Sequence, residues 1–358
     1  MTEIMPGGAA AKRLSEFSVS RDNNFNLIRF VAAFLVLYGH SYPLSLGAGA
    51  TDPLVSILGT TAGAFAVDIF FITSGFLVTA SLLSRTNLRA FIWARVLRIY
   101  PALIVAVGFC VLVVGVYFTT EPVTDFLADP VTLKFVKRNT TLFSGVNYYL
   151  PGVFETLPFP KAINGSLWTL PYEVKAYTGL ALLGATLFWF KRHFNRDYIS
   201  IGVLAFAAAL LLIHLSNHYW HFMDAQKTRL YSMFFIGAAF YMWRTRIKMS
   251  GALALAMFGL LFLAKGSNEV YFWVYTLCIA YLLFYIAYIP AGLVRNYNKI
   301  GDYSYGLYIY AFPVQQSVAA IIPGVQVSAM ICWSFLFTLL LAVISWHLVE
   351  KPLLKFKV

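Results

Sequence analysis

Charged side chains are scarce in this 358-residue sequence, where Asp, Glu, Lys and Arg together make up 12%. An average soluble domain carries about 25%. There are three cysteines, and their wide spacing inside apolar runs argues against a disulfide framework or a zinc site. The 27 Lys and Arg exceed the 15 Asp and Glu, but no dense basic block is present. The excess therefore gives no indication of a nucleic-acid partner, because basic residues first serve to orient a membrane protein.

Apolar residues make up 60% of the chain and are spread along its whole length. A run of about 17 to 25 such residues can cross a bilayer as a helix. The sequence thus predicts an all-α polytopic membrane protein with about ten transmembrane helices. The predicted spans are 25–42, 61–83, 99–118, 166–190, 198–216, 229–243, 250–265, 270–289, 301–321 and 325–348. Nine or eleven spans are the alternatives, because two runs are short and 119–165 could hold a re-entrant or surface helix.

Basic residues concentrate in alternate segments between the predicted spans, which indicates that these segments face the cytoplasm. On this pattern both termini are cytoplasmic. The chain divides into a polar leader (1–24), a membrane domain (25–350) and a basic tail (351–358). The small residues at 47–50 could mimic a signal-peptide cleavage site, but the long polar leader favours an uncleaved first span.

Ionisable groups inside a membrane span cost roughly 2.5 to 3.5 kcal/mol each, so each one suggests a function. Arg29 and His40 lie eleven residues apart on the first span, close to three helical turns. Both side chains therefore project from one face, at depths that differ by roughly 16 Å. The alternatives are that Arg29 anchors the inner boundary and that a neighbouring backbone group binds His40.

Two carboxylates are predicted at a depth similar to that of His40. Asp68 and Glu173 each lie about two turns into spans that run inward from the outer side. A carboxylate beside a histidine holds one tautomer and stabilises the charged ring, as a general base requires. The alternative is a structural carboxylate, bonded to backbone groups or to Tyr172.

A pair of arginines, Arg95 and Arg98, begins the third span between Trp93 and Tyr100. Their spacing places both guanidinium groups on one helix face, where they could bind phosphates from the cytosol. An inner-boundary anchor is the alternative. Lys175 lies two residues from Glu173 and cannot share its helix face. No metal site is predicted, although three histidines lie close together at His214, His218 and His221.

Five stretches together resemble the acyltransferase-3 family of bacterial membrane acyltransferases, and they run in order over residues 24–352. The stretches are Asn26-Leu27-Ile28-Arg29-Phe30 with Gly39-His40; Asp68 with Phe70-Phe71-Ile72-Thr73-Ser74-Gly75-Phe76; Arg95-Val96-Leu97-Arg98-Ile99-Tyr100-Pro101; Ser166-Leu167-Trp168-Thr169-Leu170-Pro171-Tyr172-Glu173; and Ser304-Tyr305-Gly306-Leu307-Tyr308 with Val349-Glu350-Lys351-Pro352.

The resemblance implies an enzyme of the bacterial cytoplasmic (inner) membrane that moves an acyl group, most often acetyl, from a cytosolic coenzyme A thioester to a carbohydrate hydroxyl. Acetyl-CoA is then a donor substrate, and no cofactor is permanently bound. The acceptor would be an O-antigen or exopolysaccharide unit, with membrane lipids and glycan-assembly proteins as further partners. The sequence departs from many members at Tyr310-Ala311-Phe312-Pro313, where they carry a histidine. The resemblance is to the stand-alone members, without an appended esterase-like domain.

By the same resemblance, Arg29 and His40 match the family's Arg-to-His spacing, Arg95 and Arg98 its paired arginines, and Glu173 the motif after Trp168. The hypothesis is that the arginines bind the donor's diphosphate and that His40 is the general base, supported by Glu173 or Asp68. A transient acyl-histidine is the alternative chemistry. The competing functions are a proton-coupled transporter or flippase of a glycan precursor and a structural assembly partner.

Overall fold

The computed structural model describes residues 12–20, 22–85 and 87–357, whose regular secondary structure is helical, with one isolated β-bridge between Arg13 and Lys248 and no β-strand. The longer helices are α1 (Phe25–Leu46), α2 (Ala62–Ser84), α3 (Leu88–Phe109), α4 (Pro130–Thr141), α5 (Leu170–Phe194), α6 (Ile199–Trp220), α7 (Ala225–Met242), α8 (Gly251–Ala264), α9 (Asn268–Tyr288), α10 (Ser304–Ile321) and α11 (Val327–Ser345). The helical path of α3 continues through a π-helical stretch, Cys110–Gly115, to Phe118.

Polar residues cap several of these helices at their N-termini. The side chain of Thr61 accepts a hydrogen bond from the Ala64 N–H at the start of α2, and Asn87 caps α3 in the same way. Asp129 accepts from the Val131 N–H, with Pro130 in the first turn of α4. Such caps satisfy backbone N–H groups that have no partner within the helix. Helix starts are therefore determined locally, even in a chain this apolar.

A helix lies on each of the ten predicted spans. Six helical segments in the described residues are long and apolar enough to cross a membrane: Phe25–Leu46, Ala62–Ser84, Leu88–Phe118, Ile199–Trp220, Asn268–Tyr288 and Val327–Phe356. The chain is thus a multi-pass membrane protein, while the count of ten stays a prediction. The region 119–165 contains α4, which carries Lys134 and Lys137 on its exposed side and buries Phe135.

Helices α2 and α7 cross at two glycines. A Cβ atom at Gly75 would lie 1.8 Å from the Phe234 carbonyl oxygen, and one at Gly237 would lie 2.0 Å from that of Ile72. Only hydrogen fits at these two positions, so the two backbones pack in direct contact. Small residues commonly allow such close approach between membrane helices. This crossing fixes α2, whose next turns line the site described below.

Several segments predicted to face the cytoplasm gather at one end of the bundle. The Leu14 N–H donates to the Ile247 carbonyl (2.9 Å), and the Trp93 indole donates to the Phe356 carbonyl (3.2 Å). The Asn298 amide donates to the Asn23 carbonyl (2.6 Å). We call this end of the bundle the inner end. Part of the predicted leader, 1–11 and 21, lies outside the described residues, and the side of the membrane that this end faces stays a prediction.

Candidate active site

A cavity of about 720 Å³ opens near the inner end, and we call it the inner cavity. Its charged lining residues are five basic and two acidic, and the basic ones come from four separate parts of the chain. They are Arg29 of α1, Arg85 after α2, Arg95 and Arg98 of α3, and Lys357 of the tail, with Glu173 and Asp302 as the acids. A net positive chamber of this size favours a polyanionic ligand.

Arg29 and Arg98 meet at one carboxylate, Asp302, in the loop before α10. Asp302 Oδ2 lies 3.0 Å from Arg29 Nη1 and 2.6 Å from Arg98 Nη2. The Ser304 hydroxyl donates to the other carboxylate oxygen (2.5 Å). Burial opposes ionisation of Asp302, but the two guanidinium groups outweigh it and hold the pKa of this carboxyl below its usual range. The shared carboxylate keeps two like charges side by side.

Arg95 lies in the same cavity without an ion-pair partner among the described residues. Its Nη2 donates a weak hydrogen bond to Ser81 Oγ (3.4 Å), and its guanidinium lies 5.8 Å and 5.9 Å from the ring centres of Phe91 and Tyr177. Aromatic faces hold a guanidinium without neutralising its charge. Arg95 is therefore positioned to bind an anion that enters the cavity.

Glu173 also lines the inner cavity. It accepts a hydrogen bond from the Tyr177 hydroxyl one turn further along α5 and another from Ser74 Oγ (3.4 Å). The hydroxyls of Ser74 and Tyr177 are 2.7 Å apart, which closes a ring of three polar groups. As predicted, Lys175 does not share the Glu173 face, since Lys175 lines the opposite cavity.

His40 lines a second cavity, of about 700 Å³, which we call the outer cavity. The wall is rich in aromatic residues, including Tyr148, Trp168 and Tyr172. The His40 ring packs edge-on against Phe312, with centroids 5.2 Å apart, and its Nδ1 is buried with no hydrogen-bond partner among the described residues. The half-buried ring faces space large enough for a sugar-sized molecule.

Asp68 is buried, and its side chain is only 1% exposed. It accepts a hydrogen bond from the Tyr275 hydroxyl (2.8 Å) and lies 3.2 Å from Arg229 Nε. No hydrogen bond between described residues joins His40 to either Asp68 or Glu173. The predicted contact between His40 and a supporting carboxylate is therefore not found. The reason is directional, since Asp68 points toward α7 and α9, and Glu173 points into the inner cavity.

The two cavities lie back to back. Of the described residues, Val67 of α2 and Tyr308 of α10 line both of them. Arg29 lines the inner cavity, and His40 lines the outer cavity. Both residues lie on α1, eleven residues apart, so this helix extends along both cavities. The structure thus separates a cationic chamber from a chamber that contains His40, with Val67 and Tyr308 at the boundary between them.

Comparison with known proteins shows which family this chain belongs to. A family model described as an acyltransferase domain matches residues 22–348, nearly the whole chain. The chain belongs to the acyltransferase-3 family. Membership confirms the resemblance carried by the five stretches and makes this protein a membrane-bound acyltransferase, an enzyme.

Relatives of this acyltransferase agree with the family assignment. An O-acetyl transferase of Shigella phage Sf6 is 31% identical, over 93% of this chain and 96% of the relative. Nodulation protein 10 of Rhizobium leguminosarum bv. viciae is 28% identical, over 96% of each chain. The peptidoglycan O-acetyltransferase OatA of Listeria monocytogenes is 22% identical, over 82% of this chain and 51% of the relative. No solved structure matches the acyltransferase significantly.

Sequence reasoning missed three charged residues of this acyltransferase's inner cavity, which are Arg85, Asp302 and Lys357. Asp302 is an isolated acid directly before a span, in a segment otherwise containing the basic residues Arg295 and Lys299. That isolation was the available signal. Lys357 comes from the tail, and burial together with the nearby guanidinium groups, first that of Arg98, lowers the pKa of its amine to about 8.

Proposed function

We propose that this chain, as an O-acetyltransferase, takes an acetyl group from cytosolic acetyl-CoA and transfers it to a hydroxyl of an exported or cell-surface polysaccharide. The proposal places the enzyme in the bacterial inner membrane, with its inner end in the cytosol. The observation that carries it is the pairing of two chambers, one cationic and one containing His40. The names of the phage and Listeria relatives support the transfer of an acetyl group, and the name of the Listeria relative supports a glycan acceptor.

The inner cavity suits the donor's polar half. Coenzyme A carries a diphosphate and a further phosphate, and guanidinium groups bind such oxygens with paired, charge-assisted hydrogen bonds. Arg95 is free of ion pairs among the described residues, while Arg29 and Arg98 are held by Asp302. These three arginines are the proposed donor-binding residues. The phosphates stay at the inner end, and the uncharged pantetheine arm extends toward His40.

The chemistry then takes place around His40. The imidazole removes the proton from the acceptor hydroxyl, and the oxygen attacks the thioester carbonyl carbon. The carbon–sulfur bond breaks, and the departing thiolate takes the proton from the imidazolium, which regenerates neutral His40 and releases free coenzyme A. In the alternative, His40 first accepts the acetyl group on its own nitrogen. Because Glu173 and Asp68 make their hydrogen bonds elsewhere, we assign neither a proton-transfer step.

Transfer assays test this function directly. Purified protein in lipid nanodiscs should bind CoA, and Arg95→Ala should weaken the binding about tenfold or more through loss of charge-assisted hydrogen bonds. Arg246 is an exposed arginine at the same end, and Arg246→Ala is the matched control that should leave CoA affinity unchanged.

The His40→Ala variant should bind CoA normally yet leave the surface polysaccharide of cells without its acetyl groups, as measured by mass spectrometry. Full acetylation with His40→Ala would rule out the general base, and glycan transport without consumption of acetyl-CoA would favour the transporter.

A further inference from the structure

The wall between the two cavities is thin and built from very few side chains. Val67 and Tyr308 contact both spaces, and each cavity holds about 700 Å³ or more. An acyl group is far smaller than either chamber. For an acyl group that moves from one chamber to the other, a limit on its size would therefore be imposed at this wall and not by the chambers themselves.

Helix α2 forms one continuous face along both cavities. Ala64 lines the outer cavity, Val67 lines both, and Phe71, Ser74 and Val78 line the inner cavity. The spacing of three and four residues places these side chains in one row. From Ser74 to Val67 the helix rises roughly 10 Å. A chain that follows this row from the inner cavity reaches the outer cavity at Val67.

Tyr308 is the second residue that lines both cavities, and several contacts hold it in place. Its hydroxyl donates to the Ser166 carbonyl (2.6 Å) and lies 2.6 Å from Thr169 Oγ1. Its ring packs edge-on against Phe70, with centroids 5.7 Å apart, and the side chain is buried. These contacts tie the ring to the Gly165–Thr169 turn that precedes α5. The ring is therefore held in a fixed position at the boundary that Tyr308 shares with the branched side chain of Val67.

We propose that Val67 and Tyr308 form an aperture through which the acyl end of the donor passes to His40, and that its width selects narrow acyl groups such as acetyl over branched ones. The inference rests on the proposed function, because it assumes a donor held in the inner cavity. An aperture discriminates by cross-section, so it admits a linear chain and rejects a branched one of equal mass. Val67 and Tyr308 are specificity-determining residues in this view.

A cysteine at the position of His40 provides a readout that needs no glycan. In a His40→Cys variant that also carries Cys332→Ser, to remove an exposed native thiol, the introduced thiolate attacks the thioester carbonyl. The acyl–sulfur bond to coenzyme A breaks, the new thioester forms, and free coenzyme A leaves. Intact-protein mass spectrometry then measures S-acylation from acetyl-CoA, butyryl-CoA or isobutyryl-CoA. The last two have equal mass and differ in branching.

We expect rapid acylation from acetyl-CoA and slow acylation from isobutyryl-CoA in this background. Adding Val67→Ala removes two methyl groups and should raise the isobutyryl rate relative to the acetyl rate about tenfold or more, since a single methylene already changes discrimination about tenfold in a fitted site. Val36→Ala and Val78→Ala are the matched controls, since Val36 lines the outer cavity and Val78 the inner one. Both should keep the original selectivity. Tyr308→Ala removes the ring and should lose the selectivity.

Blocking the aperture gives the complementary result. Val67→Phe should bind CoA as tightly as its parent and yet lose acylation at position 40. If this variant fails to fold, as judged by gel filtration, the selectivity of Val67→Ala still decides the question. Unchanged selectivity in Val67→Ala overturns the aperture while leaving the donor site intact. Absence of CoA binding in the parent protein overturns the proposed function itself, and the aperture with it.

Discussion

Arg29 and Arg98 share the carboxylate of Asp302, and Arg98 Nη1 also lies 3.8 Å from Glu350 Oε2. Side-chain exposure is 10% for Asp302, 14% for Arg98 and 22% for Arg29. Buried like charges of this kind require a counter-charge between them. Because the folded-state pKa of Asp302 is lowered, its contribution to stability is present at neutral pH and is lost as the pH falls below the ordinary carboxyl value of about 4.

Asp302→Asn should therefore destabilise the protein. Removal of one partner from a buried ion-pair group leaves uncompensated charge and costs about 3 to 5 kcal/mol. The measurement is the thermal transition of purified protein, followed by gel filtration after heating. Asp197→Asn is the control, since Asp197 pairs with Lys191 at side-chain exposures of 54% and 52%, where a pair contributes about 0 to 1 kcal/mol. Equal transition temperatures for the two variants would contradict the role of Asp302.

We expect Lys357 to make anion binding in the inner cavity depend on pH. Its pKa of about 8 means that the amine is charged at pH 7 and largely neutral at pH 9. An anion binds the charged form better, so affinity for CoA should fall as the pH rises from 7 to 9. Lys357→Arg keeps its charge throughout and should flatten this dependence, as measured by calorimetric titration. Lys355→Arg, at an exposed position of the same tail, should behave like the parent, and an equally steep fall in Lys357→Arg would refute the idea.

At the scale of single helices, the helix face on which a residue lies decides which cavity its side chain lines, more than its depth in the membrane does. Glu173 and Lys175 lie two residues apart on α5 and line different cavities. A separation of two residues turns a side chain by about 200° around the helix axis. The sequence-based estimate placed Glu173 by depth alone and therefore assigned it to His40. In the structure, the direction of the Glu173 side chain around the axis of α5 places it in the inner cavity with the arginines.

The crossing of α2 and α7 provides a prediction at the same scale. Gly75→Ala adds a methyl group where the Phe234 carbonyl oxygen lies 1.8 Å away, so the helices must separate. Overpacking costs about 1 to 3 kcal/mol or more, which exceeds the gain of about 1 kcal/mol in helix propensity. We expect a lower thermal transition and reduced acyl transfer. Gly179→Ala has open space around it and should be neutral or slightly stabilising; similar losses in both variants would show that the crossing is not responsible.

At the scale of the whole molecule, the inner end should face the cytosol. Reporter fusions test this orientation, because green fluorescent protein fluoresces only in the cytosol and alkaline phosphatase is active only outside it. A fusion after Val358 should fluoresce and lack phosphatase activity, and a fusion after Phe222 should do the reverse. The opposite pattern would place the arginines outside the cell and remove the route from cytosolic acetyl-CoA.

The sequence by itself determined the class of the protein, because apolar composition and run length depend on local residues alone. It also placed Arg29 and His40 on one face of the first span, since helical periodicity fixes relative positions within a single helix. The paired arginines Arg95 and Arg98 were found for the same reason. Helix starts such as Thr61 and Asn87 likewise depend on neighbours a few residues away.

Only the tertiary structure decided which charged side chains form ion pairs and which residues lie between the two cavities. Asp302 lies 273 residues from Arg29 in the chain, and nothing in the spacing of either residue indicates their contact. The division into two cavities, and the two side chains between them, depends on how α2, α5 and α10 rotate and pack. Rotation around a helix axis is set by contacts such as those of Gly75 and Gly237, which form only when distant segments come together.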